Sequence, residues 1–238
     1  MNTQSRSKLY LIPTPIHEDS GIHSLPAVVQ EIVQTLRVFI VEEEKTARHF
    51  LKSLSVDFPL SEITFFVYNE HSHPNEAIGI MDKIGEQDCG LLSEAGVPCV
   101  ADPGAQIVAA AHARGVEVVP LVGPSSILLA LMASGFNGQR FCFYGYLPKD
   151  KNERMKKLKE LERRSAQEHE AQIFMEAPYR NENLFKDILE VCQKDTRLCV
   201  ACDLMSAEQF IKTMTVDRWR KDMPSLNKRP TIFLLEKK

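Results

Sequence analysis

Cys89-Gly90-Leu91-Leu92-Ser93-Glu94-Ala95-Gly96-Val97-Pro98-Cys99-Val100-Ala101-Asp102-Pro103-Gly104 reads as a strand delivered into a stiff turn. The apolar run ends in a turn holding Gly96 and Gly104, which permit close approach or positive φ, and Pro98 and Pro103, which fix φ. A helix-like run follows. In a parallel sheet this is how a strand presents backbone N–H and C=O groups to a ligand at its carboxyl end. A loop so stiff and so poor in side chains suggests backbone recognition of a small molecule; an ordinary βα turn is the simpler alternative.

On either side of this stretch the same alternation recurs. Short runs rich in β-branched or aromatic residues fall at 8–13, 37–41, 63–68, 88–93 and 116–119, with helix-length segments at 25–36, 43–54, 75–84 and 104–114. This βαβα order predicts a parallel sheet covered by helices on both faces, a first domain over residues 1–121. Pro120-Leu121-Val122-Gly123-Pro124-Ser125-Ser126 then breaks the pattern and starts an apolar helix at 127–134. Pro124 at its first turn and Gly135 past its end match the usual asymmetry of helix ends. The second domain, residues 122–238, reads as strand 140–146, helix 153–165, strand 172–176, helix 183–192, strands 197–203 and 209–214, and a last strand at 231–235. The short link between 203 and 209 makes those strands neighbours, so the second sheet is expected to be mixed. The fold class is α/β, with a parallel-sheet N-terminal domain and a mixed-sheet C-terminal domain.

Composition narrows the function. The 238 residues are 44% hydrophobic and 26% charged, ordinary values for a packed globular chain. No apolar run approaches the roughly 20 residues of a membrane span. The segment Met1 to Lys8 lacks the apolar centre of a signal peptide, so a cytoplasmic location is expected. With a net charge of −3, any nucleic-acid contact must come from a local basic patch. The six cysteines are scattered, and the one CxxC, Cys199-Val200-Ala201-Cys202, lies on a predicted strand. Residues three apart on a strand face opposite sides, so reduced core thiols fit better than a disulfide or a metal site. His71-Ser72-His73 has no supporting carboxylate spacing and reads as a pair of loop histidines; no metal is expected.

Several stock motifs are absent: GxGxxG, GxxxxGK[ST] and GxSxG. What remains is a set of Pro/Gly turns at strand ends. Ile12-Pro13-Thr14-Pro15, the Ser93–Pro98 loop and Val122–Ser126 all follow apolar parallel strands, so all three point to one edge. Phe143-Tyr144-Gly145-Tyr146-Leu147-Pro148 and Met175-Glu176-Ala177-Pro178-Tyr179-Arg180 end the first two strands of the second domain. Five such turns from two domains are placed to wall one cleft, where small-molecule sites preferentially form.

Leu9-Tyr10-Leu11-Ile12-Pro13-Thr14-Pro15-Ile16, the 93–104 loop, Pro120–Ser126 and Phe143–Pro148 resemble, in order and spacing, signatures of the tetrapyrrole methylase superfamily. Within it the chain is similar to the branch of ribosomal RNA small subunit methyltransferase I, which methylates a cytidine ribose 2′-hydroxyl using S-adenosylmethionine. The resemblance implies a two-domain homodimer with S-adenosylmethionine in the interdomain cleft. It places Thr14, Pro15, Ser93, Glu94, Ala95, Gly96, Pro98, Ser125, Ser126, Tyr144, Gly145 and Leu147 at that cofactor. The chain also departs from the branch. Glu94 and Val97 replace the branch's Asp and Thr, His17-Glu18-Asp19 stands for Gly-Asn-Leu, and Glu42-Glu43-Glu44-Lys45 for Glu-Asp-Thr-Arg. Cys202-Asp203-Leu204-Met205-Ser206 and Lys228-Arg229-Pro230 replace Arg-Glu-Leu-Thr-Lys and Lys-Gly-Glu. The cofactor half is kept while elements expected to face the acceptor have drifted.

Methyl transfer from a sulfonium is an in-line displacement that needs alignment. A ribose hydroxyl also benefits from a general base. Glu176, ending a strand beside a proline turn, is the candidate catalytic residue; a salt bridge with Arg180 is its structural alternative. For ribosomal RNA or the small subunit as partner, the best basic patch is Lys149, Lys151, Arg154, Lys156, Lys157, Lys159, Arg163 and Arg164. Met155, Leu158 and Leu161 would pin the helix and leave many of these cations outward. Interspersed Asp150, Glu153, Glu160 and Glu162 make a solvated helix the alternative. Two further functions stay open: methylation of a small tetrapyrrole-like molecule, and cofactor binding without turnover.

Overall fold

The computed structural model describes residues 7–55 and 58–238, so residues 1–6 of the polar N-terminal segment lie outside the described residues. The chain forms two compact units that divide after Ser125.

In the first unit β1 (Lys8–Ile12), β2 (Val38–Val41), β3 (Thr64–Val67), β4 (Cys89–Leu92) and β5 (Glu117–Pro120) build one sheet in the order β3-β2-β4-β1-β5. Every pairing in it is parallel, as the alternation predicts. The crossovers are α1 (Ala27–Thr35), α2 (Glu44–Leu54), α3 (Pro74–Ile84) and α4 (Ala105–Ala113). Because successive strand residues face opposite sides, the core separates into two layers. Leu9, Val38, Ile40, Cys89 and Leu91 meet Ile80, Met81 and Ile84 of α3 and Ile107 of α4. Ile12, Phe39, Val41 and Leu92 meet Val29 and Val33 of α1 and Phe50, Leu51 and Leu54 of α2. Each fully buried side chain of this size contributes about 1.5–3 kcal/mol. Both helical layers are therefore fixed by the same short strands. His73 caps α3: its Nδ1 accepts from Asn75 N–H at 3.2 Å while Glu76 reaches back to the His73 N–H at 2.7 Å.

In the second unit α5 (Ser126–Ser134) is followed by β6 (Phe141–Tyr146), α6 (Lys151–Glu168), β7 (Ala171–Met175), α7 (Asn181–Val191), β8 (Arg197–Cys202), β9 (Phe210–Thr215), α8 (Val216–Trp219) and β10 (Thr231–Glu236). The sheet order is β6-β7-β10-β8-β9, with β6 and β7 parallel and the other pairs antiparallel. It is mixed, and its last strand in sequence lies at its centre, which explains why every residue of Thr231–Glu236 is buried. Phe174, Val200 and Phe233 pack against Leu158 and Leu161 of α6 and Leu184, Phe185 and Ile188 of α7. Ile173, Cys199, Ala201 and Leu234 pack on the other face with Ala130 and Leu131 of α5. Cys199 and Cys202 thus lie in different layers, as strand geometry requires of an i, i+3 pair. All six cysteines are free thiols, and burial pushes Cys89 and Cys99 up to about 12.

Two features differ from the sequence reading. The short α8 was unforeseen; it seats Trp219 in the core, with Nε1–H donating to Leu198 O at 2.9 Å. Arg154 is not outward. It is buried, its Nε donating to the buried Asp187 Oδ2 at 2.7 Å and its Nη1 to the carbonyls of Pro148 (3.2 Å) and Lys149 (2.8 Å). It sits on the apolar side of α6 because it shares a helix face with Leu158 and Leu161. Among the described residues no helix is long and apolar enough to cross a membrane.

Candidate functional site

The turns after β1, β4 and β5 meet at the carboxyl edge of the first sheet. Thr14 N–H donates to Gly96 O at 2.9 Å and Gly96 N–H to Thr14 O at 3.1 Å, a two-residue antiparallel bridge between two parallel strands' exits. Gly96 takes φ +76°, and a Cβ there would lie 3.1 Å from Pro124 O in the third turn. A Cβ on Gly123 would lie 2.2 Å from Pro13 Cβ, so only glycine lets the third turn pass the first. Hydroxyls complete the assembly. Ser93 Oγ donates to Gly96 O at 2.6 Å, and Thr14 Oγ1 donates to Ser93 O at 3.2 Å. Downstream, Asp102 accepts from Cys99 N–H (2.8 Å) and Gly104 N–H (2.7 Å) and so shapes the entry to α4. Cys99 and Ala101 take φ +67° and +63°, a conformation costly for side-chain-bearing residues.

A cavity of about 490 Å3 opens beside these turns. Thr14, Pro15, Ser93, Glu94 and Ala95 form one wall. Val41, Phe50, Leu92 and Ile22 form an apolar floor, on the α1/α2 side of the sheet. His17, His23 and His49 also line it, beside Glu18 and Thr46. The Nδ1 of His17 accepts from Asp19 N–H at 3.1 Å, which leaves its Nε2 to carry the proton of the neutral ring.

The electrostatics of the edge are one-sided. Burial, then the charges of Asp102 and Glu94, hold the Glu42 carboxyl above the usual carboxylate range. Glu94 is raised by burial and by Glu43, partly offset by hydrogen bonding from Thr46 and the Glu43 backbone. Asp102 is raised by burial, against its two backbone hydrogen bonds. Carboxylates raised by burial and by neighbouring negative charge favour a cationic ligand, since a positive charge relieves both desolvation and repulsion.

The remaining expected residues lie as follows. Pro98 is buried between the Gly96 bridge and the segment capped by Asp102. Ser125 ends the first unit, and Ser126 begins α5. Tyr144, Gly145 and Leu147 belong to the second unit, where the β6–β7 register shifts between Phe143 and Tyr146. The Leu147 side chain is committed to that unit's core. The Tyr144 hydroxyl is buried, burial and then the neighbouring Cys142 thiol raise its pKa, and Lys157 Nζ lies 5.1 Å from its ring centre. Glu176 is buried, and its Oε1 accepts from Ala177 N–H at 2.7 Å and Arg180 Nη2 at 2.5 Å. That is the geometry of a turn-fixing ion pair.

Half of the expected basic patch is neutralised within the protein. Besides Arg154, Lys151 pairs with Glu190 (3.2 Å), Lys157 with Glu160 (2.8 Å) and Arg164 with Glu170 (2.5 Å). The cavity histidines escaped the sequence reading because they come from two separate segments with no shared spacing. Their only signal was His17 standing in a turn already marked by Pro13 and Pro15.

The tetrapyrrole (corrin/porphyrin) methylase family model matches residues 8–218. The ribosomal RNA small subunit methyltransferase I of Escherichia coli O157:H7 is 27% identical over 236 residues, covering 98% of this chain and 78% of that protein. Its namesake in Vibrio cholerae is 31% identical over 207 residues, 87% of this chain and 68% of that one. Among solved structures, the methyltransferase CobJ has the same fold, with a TM-score of 0.63 at 18% identity over 98% of this chain and 94% of its own. Since the match runs from β1 to α8, through both sheets and all three turns of the site, the chain belongs to the tetrapyrrole (corrin/porphyrin) methylases.

Proposed function

We propose that this chain transfers a methyl group from S-adenosylmethionine to the 2′-hydroxyl of a cytidine ribose in small-subunit ribosomal RNA. The observation that carries the cofactor half is the turn assembly: backbone groups of Thr14, Pro15 and Ser93–Gly96 gathered at a sheet edge where burial raises the carboxyls of Glu42, Glu94 and Asp102 and the charges of Asp102 and Glu94 raise Glu42 further. That donor set fits a ligand carrying a sulfonium and an ammonium group. When bound, the cofactor supplies an electrophilic methyl. The chain's own residues orient the ligand through stiff backbone, exclude water with Phe50, Leu92 and Ile22, and accept the hydroxyl proton. His23 and His49 are the imidazoles of the cavity suited to that last role, since the Nδ1 of His17 is engaged by its own turn. The acceptor half is supported by the names of the relatives matched over most of the chain.

Calorimetric titration with S-adenosylhomocysteine tests the first half. Saturable binding is expected, lost in Gly96→Trp, and a folded parent protein that does not bind it overturns the reading. Incubation of labelled methyl donor with small ribosomal subunits, followed by nucleotide mapping, tests the second. The apolar floor of the cavity favours the alternative of a compact planar acceptor, so macrocycle precursors belong in the same assay; label on the precursor alone reverses the assignment. The proposed state is a homodimer in the cytoplasm, supported by the sequence resemblance. A single sedimenting species near 27.0 kDa counts against it.

A further inference from the structure

At the carboxyl-terminal edge of the second unit's sheet, two aromatic rings stand in solvent. Tyr146 ends β6, opposite Met175 at the end of β7, and is 59% exposed. Tyr179, in the turn after β7, is 66% exposed, and the Arg180 guanidinium lies 5.1 Å from its ring centre. The segment entering β10 is tied to that same turn: Lys228 N–H donates to Pro178 O at 3.1 Å, and Asn181 Nδ2 donates to Arg229 O at 2.6 Å. Lys228 is thereby held beside the tyrosine turn at φ +60°, a strained conformation for a lysine.

Charge at this edge favours an anion. The carboxylates of the two turns, Glu176 and Asp203, are each answered by an arginine, Arg180 at 2.5 Å and Arg229 at 2.6 Å, while the charge of Glu208 also reaches Arg229. Lys228 is exposed and has no ion pair among the described residues. Asp203 and Met205 add φ values of +47° and +66°, so three of the six side-chain-bearing residues with positive φ cluster here. Arg180 Nε and Asn181 Oδ1, a donor and an acceptor, are buried in the same turn with no hydrogen-bond partner among the described residues. Neighbouring aromatic faces beside a cation are the chemistry that binds single-stranded nucleic acid: bases stack, and phosphate meets the charge. On α6 four of the seven cations are instead paired within the protein, while Lys156, Lys159 and Arg163 have no ion pair among the described residues.

We infer that single-stranded RNA docks on this edge, with bases stacking on Tyr146 and Tyr179 and a phosphate at Lys228. The inference rests on the RNA reading above and names the surface that reading needs. Fluorescence anisotropy of the full chain with a cytidine-containing single-stranded oligoribonucleotide, over a series of salt concentrations, tests it. Tyr179→Ala and Tyr146→Ala should each weaken binding roughly ten-fold, with Tyr179→Phe restoring it. Lys228→Gln should flatten the salt dependence by about one unit of slope. Urea unfolding and far-ultraviolet circular dichroism should be unchanged in all of them, which excludes misfolding. Unchanged RNA affinity in the tyrosine variants, or loss only in Lys156→Glu and Arg163→Glu on α6, overturns the docking surface while leaving the RNA reading intact. A parent protein that binds S-adenosylhomocysteine but no RNA overturns both.

Discussion

The two units hold stiff turns at the carboxyl edges of their sheets by different means. In the first, the Thr14–Gly96 bridge is backbone to backbone, and Gly96 and Gly123 pass neighbouring chain where a side chain would collide. In the second, side-chain charges do the fixing: Glu176–Arg180, Asp203–Arg229, and the buried Arg154–Asp187 pair that also holds the carbonyls of Pro148 and Lys149. A turn held by shape leaves its carboxylates for a ligand. A turn held by ion pairs consumes its own charges and presents what is left over, here two tyrosines and Lys228. The first unit should therefore be sensitive to side-chain volume and the second to loss of a charge partner.

The largest expected effect tests the second half of that contrast. Asp187→Ala leaves Arg154 buried without its carboxylate and should cost about 3–5 kcal/mol. Hydrogen exchange should show protection lost in α6, α7 and the 146–149 turn while β1 and β4 keep theirs. The double variant Arg154→Met, Asp187→Leu should recover most of the stability, because a buried pair can be replaced by apolar volume. It should not recover the order of the Pro148 turn, whose carbonyls lose their donor. If order returns as well, the charges do not fix the turn.

Gly123→Ala probes the first unit. With a Cβ 2.2 Å from Pro13 the turns must separate, at about 1–3 kcal/mol by urea unfolding and with weaker binding of S-adenosylhomocysteine. Ser93→Ala should be milder, about 1 kcal/mol, since Gly96 O keeps the Thr14 N–H as a donor. If Ser93→Ala proves worse than Gly123→Ala, side-chain hydrogen bonding rather than shape holds this edge.

How far the chain could be read from its residues follows the same division. The parallel sheet was legible because short β-branched runs alternate with helix-length segments, and its turns were legible because proline and glycine act through the backbone alone. The two layers of the CxxC cysteines followed from strand geometry. Arg154 was misread as part of a cation run, although its four-residue spacing to Leu158 placed it on the inward face. Its partner Asp187 lies 33 positions away, and no local pattern announces such a pair. The same holds for Lys228, whose left-handed backbone is imposed by the turn it bonds to.

The smallest effect is one of sign. Glu42, Glu94 and Asp102 are held above the ordinary carboxylate range, so the folded first unit binds more protons than the unfolded chain just above that range. Their contribution to stability is fully present below the ordinary value near 4 and is lost as pH rises through the raised values. In the second unit Glu160 and Asp195 run the other way: hydrogen bonds from Lys157 and Lys237 hold them below the ordinary range, and stability is lost as pH falls through their folded values. Glu94→Gln isolates the first term. Because Glu94 is only partly withdrawn from water, screening limits its gain at pH 7 to about 0.5 kcal/mol, and the gain should shrink to nothing as the pH drops below 4. The same variant should bind S-adenosylhomocysteine more weakly, because the carboxylate that strains the free protein is the one that favours a cation. A variant both more stable and equally tight would detach the acidic edge from cofactor binding and leave the backbone turns alone to explain it.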